Sequence, residues 1–148
     1  MQTEPKASGK PVQRESREQE ALFRWRDLHV AIGASGPVSH RYPGIENMFA
    51  IPNGSYLQGD ARRRAMQWAR LKAQGAHAGV SDIFLPVPRD GFAGLWIELK
   101  APKPHNAPVS EDQTEWINRM TRQGYAAFVA YGWVHAVGLI DLYYGVTK

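Results

Sequence analysis

Apolar positions recur at intervals of three and four between residues 15 and 32, where Leu22, Trp25, His29 and Ile32 share one side of a 3.6-residue turn, and this spacing predicts a first helix. Ser16 followed by Gln19 has the form of a capping box for it. Residues 33–44, with two prolines and three glycines, read as a connector. Asn47–Ile51 then reads as a short strand closed by Pro52-Asn53-Gly54. A second helix is predicted over residues 60–73, opening on Asp60 as its cap and ending before Gly75. Beyond it the period changes from helical to extended. Val80–Leu85 and Leu95–Leu99 are short, apolar and rich in β-branched or aromatic residues, with Pro86, Pro88 and Asp90-Gly91 as breakers between them. A proline-rich connector over residues 101–108 leads to Ser110-Glu111-Asp112-Gln113, a second capping-box pattern. Trp116, Ile117 and Met120 mark the face of the helix that follows, and Gly124 stops it. Tyr125–Tyr131 reads as a buried strand, and residues 133–143 as a closing helix with Val134, Val137, Ile140 and Tyr144 as its apolar positions. The order α β α β β α β α predicts an α/β fold in which helices cover a mixed sheet. Residues 1–13 lack apolar content and read as a mobile tail, which leaves residues 14–148 as one domain with no internal repeat.

Composition narrows the chemistry more than the fold. A chain of 148 residues can bury a single core without staples, and with no cysteine it can form no disulfide, thiolate zinc site, iron–sulfur cluster or Cys nucleophile. No apolar run approaches the roughly 18 residues of a membrane span. The first 20 residues are polar, without the apolar stretch of a signal peptide, so a cytoplasmic location is expected. Eighteen basic against 14 acidic residues give a net charge of +4, which points weakly toward a polyanionic partner.

The most informative stretch is Gly79-Val80-Ser81-Asp82-Ile83-Phe84-Leu85 followed by Leu95-Trp96-Ile97-Glu98-Leu99-Lys100. Strand residues two apart share a face, so Glu98 and Lys100 point one way while Ile97 and Leu99 point the other. If the two strands pair, Asp82 reaches the same place. Two carboxylates and a lysine would then stand at the mouth of an apolar sheet. Mg²⁺ takes one or two carboxylates of this kind while keeping sites for water and phosphate oxygens, the arrangement that phosphodiester hydrolysis uses. Lys100 could orient water or offset developing negative charge. The competing interpretation is a solvated Glu–Lys pair on an ordinary strand.

Around these residues the sequence resembles the VRR-NUC branch of the PD-(D/E)XK nuclease superfamily, in particular its small stand-alone phage and prophage members. Gly79-Val80-Ser81-Asp82 stands where the family has Gly-Val-Pro-Asp, with Ser81 replacing the usual proline, and Glu98-Leu99-Lys100 matches its E-x-K. The resemblance extends to Ile51-Pro52-Asn53-Gly54, to residues 71–75, to Ser110 and Gln113, and to Gly124-Tyr125. It implies a restriction-endonuclease-like core in which Asp82, Glu98 and the backbone carbonyl of Leu99 hold Mg²⁺ or Mn²⁺ and Lys100 is the catalytic lysine. A further metal-associated glutamate is implied on the first helix. Glu15, four before Gln19 and seven before Leu22, fits best; Glu18 is also inward, and Glu20 falls on the outer flank. An acidic first turn complementing the helix dipole would account equally for all three. Gln113 matches a glutamine that the resemblance places near the active site, although a residue at the third position of a Ser-capped helix also completes a capping box.

The resemblance further implies a DNA endonuclease acting as a homodimer on branched DNA such as four-way junctions, in phage replication or repair. Arg62, Arg63 and Arg64, with Arg70 and Lys72, make the second helix the most basic element and a candidate phosphate-contact face. Lys103 and His105 follow the E-x-K block closely enough to reach flanking phosphates, and Asn53-Gly54 offers either a strand-ending turn or a backbone approach to DNA. The five histidines lack metal-ligand spacing, and the five tryptophans fall mostly on predicted inward faces. Two other classes compete: a catalytically silent DNA-binding module that keeps the fold, and an interaction protein whose acid–lysine cluster is only a salt bridge. A ribonuclease remains open within the enzyme class.

Overall fold

The computed structural model describes residues 11–34, 41–52 and 57–146. The eight elements come in the order expected: α1 (Pro11–Ala34), β1 (Phe49–Ala50), α2 (Ala61–Ala73), β2 (Ile83–Leu85), β3 (Leu95–Lys100), α3 (Glu111–Arg122), β4 (Ala126–Tyr131) and α4 (Trp133–Tyr144). A short 3₁₀ turn at Ile45–Asn47 precedes β1.

The strands form one mixed sheet in the order β1-β2-β3-β4, antiparallel between β1 and β2 and between β2 and β3, and parallel between β3 and β4. Parallel neighbours need a crossover, and α3 supplies it. Strand alternation then sorts the two faces. Leu95, Ile97 and Leu99 enter the core with Leu22 of α1, Ile83 and Leu85 of β2 and Ile140 of α4. Trp96, Glu98 and Lys100 point to the opposite side, toward α3, where Trp96 stacks on its register partner Phe84 at 4.2 Å and meets Trp116 edge-on at 5.3 Å. Under the C-terminal half of α4, Tyr42 donates its hydroxyl hydrogen to Asp141 at 2.6 Å and packs edge-on against Tyr144.

Local signals explain most boundaries. Asp60 caps α2 by accepting the Arg63 N–H at 2.9 Å, and Ser110 opens α3 with a complete capping box. Gly124, at φ 88°, supplies the left-handed residue just past α3.

The first helix departs from expectation. It is already helical at Pro11, so Ser16 and Gln19 lie inside it rather than capping it, its first turn carries no acidic residue, and residues 11–13 belong to the helix instead of a tail. Residues 1–10 lie outside the described region, as do Asn53 and Gly54. The β4 strand is less buried than its composition suggests. It lies at the edge of the described sheet, so Ala126 and Ala130 are enclosed while Phe128 stays 39% exposed. All five tryptophans are half-buried. Trp25 and Trp133 pack against the core, Trp96 and Trp116 pack on each other, and Trp68 stands on α2. That helix buries none of its residues and has only slight contact with any other helix or strand.

Candidate active site

The site forms where the C-terminal end of β3 meets the N-termini of α1 and α3. Extending the β2–β3 register by one residue, from Ile83 opposite Ile97, sets Asp82 opposite Glu98. The Asp82 carboxylate accepts the Leu99 N–H at 2.8 Å, so a side chain takes the hydrogen bond that a ladder carbonyl would otherwise take. Glu98 and Lys100, two apart on the same face, form an ion pair at 3.2 Å with side chains only 1% and 6% exposed. Such a pair is shielded from water, so the hydrogen bonds that its remaining donors and acceptors make decide what its burial costs.

Gln113 supplies much of that bonding. Its amide oxygen accepts from Lys100 Nζ at 3.1 Å and from the Ser110 N–H at 2.9 Å, while its amide nitrogen donates to Glu98 Oε1. The capping box that the sequence offered is present, and the same side chain bonds both Lys100 and Glu98. What sets α3 at this distance is Gly79, whose φ is +79°; a Cβ there would lie 2.2 Å from the Asp112 carbonyl oxygen. The motif's glycine is therefore needed for close approach of the α3 backbone as well as for its dihedral angle.

The acidic side of the cluster is incompletely satisfied. Glu98 Oε2 and Glu15 Oε1 are buried and have no hydrogen-bond partner among the described residues. Burial pushes the Glu98 carboxyl up to about 8, with the Asp82 charge adding to the rise and Lys100 opposing it. Glu15 is also raised by burial, pulled down by Lys100, pushed up by Asp82 and pulled down by the Ala101 N–H. Those neighbours place Glu15 beside the cluster. Glu18, the other inward candidate, is engaged with the start of α4: its carboxylate accepts the Trp133 N–H at 2.8 Å and so caps that helix.

Hard oxygens lacking partners, on desolvated carboxylates, are the chemistry that suits a hard divalent cation. Among the described residues no three acidic or histidine side chains are gathered into a closed ligand set. His29 packs on Trp25 and Tyr42, His77 on Trp116 and His135 on Tyr131.

The basic residues divide. Arg62, Arg63, Arg64 and Lys72 line exposed positions on α2, and Arg64 also donates to the Gly59 carbonyl at 2.7 Å. Lys103 lies over the Tyr131 ring at 4.5 Å and His105 is exposed in the turn after β3. A cleft of about 600 Å³ opens between α2 and α3, bordered by Trp68, His77, Gly79, Gln113 and Trp116. Sequence spacing does not reveal it, because its walls come from α2 and α3, which are far apart in the chain.

No curated protein sequence matches the chain. A solved structure described as a "VRR_NUC domain protein" superposes with a TM-score of 0.66 over 91% of each chain at 21% identity, which shows a shared fold, consistent with the restriction-endonuclease-like core. The family model for the VRR-NUC domain matches residues 13–133. The chain belongs to the VRR-NUC domain family, a nuclease-type domain with DNA as its implied substrate.

Proposed function

We propose that this protein is a Mg²⁺- or Mn²⁺-dependent endodeoxyribonuclease that hydrolyses phosphodiester bonds, selects branched DNA and acts as a homodimer in phage replication or repair. The observation that carries the catalytic part is the pair of buried carboxylate oxygens on Glu98 and Glu15, beside Asp82 and Lys100, that have no hydrogen-bond partner among the described residues. Asp82 and Glu98 would hold the cation, together with the Leu99 carbonyl, with Glu15 beside them as a further acidic group. Within a strand the N–H and C=O of one residue point to the same edge, so the Leu99 carbonyl looks toward the side on which its N–H meets Asp82. A divalent cation there supplies Lewis-acid stabilisation to a phosphodiester.

The protein's own groups do the positioning. Lys100 has three donors, two of which are engaged with Glu98 and Gln113 among the described residues. The third can meet a phosphate oxygen and stabilise the charge that grows there. Gln113 fixes the lysine's direction and is itself fixed by the start of α3, so the ammonium is held before substrate arrives. The arginines of α2, with Lys72, Lys103 and His105, provide phosphate contacts that add affinity without reading sequence. The preference for branched DNA and the two-fold assembly rest on family resemblance; cutting a junction symmetrically needs two sites, which a dimer provides.

The test is cleavage of a labelled four-way junction beside linear duplex and single strand, in Mg²⁺, in Mn²⁺ and in EDTA. Wild type is expected to cut the junction only with metal, while Lys100→Ala and Asp82→Asn bind without cutting. Turnover by Asp82→Asn at the wild-type rate would overturn the assignment, and salt-sensitive binding without cutting under any metal would make the protein a silent DNA-binding module.

A further inference from the structure

The cleft between α2 and α3 is not used by the chemistry above, although it shares Gln113 with it. Of α3 it exposes Asp112, Gln113 and Trp116, and Arg119 reaches His77 on its border at 3.2 Å. Of α2 only Trp68 lines it, while the five basic residues of that helix, which holds no acid, stand outside the lining. Trp68 projects from α2 with Arg64 four residues before it and Lys72 four after it, so all three occupy one helical face. Trp116 faces the cleft too, but its ring is occupied by Trp96 on one side and His77 on another. Trp68 has no aromatic partner among the described residues, and it stands half-exposed on a helix that contributes nothing buried to the core.

We infer that this cleft is a subsite for an unpaired nucleotide, with its base stacked on Trp68 and the adjoining phosphates held by Arg64 and Lys72. An aromatic side chain between basic ones on the wall of a groove is the combination that binds single-stranded nucleic acid, since every base presents a π-face and every nucleotide a phosphate. The basic residues one turn to either side of Trp68 set the orientation: phosphates run along α2 and the base points inward. Paired bases are stacked within a helix and cannot enter, so among branched DNAs the subsite favours those with an unpaired nucleotide next to the cleaved bond. This rests on the reading of the Glu98–Lys100–Gln113 cluster as the cleavage site, with which the cleft is continuous through Gln113.

The test is binding in EDTA, where no cleavage occurs, measured by fluorescence anisotropy on three labelled probes: a single strand of about 12 nucleotides, a blunt duplex, and that duplex with a single-stranded arm. Trp68→Ala is expected to weaken binding of the single strand and of the armed duplex by about tenfold or more, and to change blunt-duplex binding less than twofold. Trp68→Phe, which keeps a ring, should retain most of the affinity, and Lys72→Ala should weaken the same two probes without moving the thermal midpoint. Equal affinity of wild type and Trp68→Ala for the single strand overturns the inference. So does an equal loss on all three probes. If wild type cuts nothing with metal but the Trp68-dependent preference persists, the nuclease reading fails and the subsite stands. Lys100-dependent cutting with no Trp68-dependent preference leaves the opposite result.

Discussion

Replacing Glu98 by Gln should change how the stability of the metal-free protein depends on pH. In the folded protein the Glu98 carboxyl titrates at about 8 against an ordinary value of 4.5, chiefly because it is buried and secondarily because Asp82 faces it. Folding therefore favours the protonated form. Between pH 4.5 and about 8 the unfolded chain has released this proton while the folded chain keeps it, so stability must fall as pH rises through that window. The gap, at 1.36 kcal/mol per pH unit, amounts to about 5 kcal/mol, of which about 3 to 4 lies between pH 5 and pH 8. With its side chain 1% exposed, Glu98 receives little solvent screening to reduce this. The assay is urea unfolding in EDTA at pH 5, 6, 7 and 8 for wild type and Glu98→Gln. Wild type is expected to lose stability across the series, and the variant to lose several kcal/mol less. Added Mg²⁺ at pH 8 should restore much of the loss in wild type and little in the variant. Parallel curves for the two proteins would refute the reasoning, because the titrating carboxylate would then lie elsewhere.

Four further outcomes are expected. Gly79→Ala places a Cβ 2.2 Å from the Asp112 carbonyl oxygen at a positive φ, so it should cost about 3 kcal/mol or more in urea unfolding and lower cleavage by shifting Gln113. Ser81→Ala should raise stability by about 1 kcal/mol, since the Ser81 hydroxyl is fully buried with no partner among the described residues; a lower urea midpoint would contradict this. Glu18→Ala should cost about 1 kcal/mol by uncapping α4 while cleavage per folded molecule holds, whereas Glu15→Ala should weaken Mg²⁺ binding by calorimetry with no loss of stability. The double variant Arg62→Ala, Arg63→Ala should reduce the slope of log affinity against log salt by about 2 without moving the thermal midpoint, because α2 has no buried residue to lose.

Much of this molecule could be read from its sequence where the signal was local. The caps at Asp60 and Ser110 fixed the starts of α2 and α3 to within a residue, because a side chain bonding its own third neighbour leaves a fixed spacing. The same pattern misled at Ser16, where a two-residue coincidence inside a long helix carried no information about its end. Glu98, Lys100 and Asp82 were legible because strand alternation and one pairing bring them together. The choice between Glu15 and Glu18 was not, since both point inward and only the packing of α1 against α4 decides which meets the site and which meets the Trp133 N–H. The cleft and the role of Trp68 were hidden for a related reason. A helix with tryptophan among arginines reads as a core face with a solvated back, and only its lack of buried neighbours shows otherwise.

That detachment of α2 has an evolutionary side. A residue in the β3–β4 core is constrained by neighbours on every side, and most changes there cost stability first and function second. On α2 the constraints are separated: substitutions at positions 62 to 72 meet solvent or substrate, and the fold registers them faintly. Lineages of this domain could therefore exchange one DNA shape for another by rewriting a single surface helix, with Glu98, Lys100 and Gln113 left as they are.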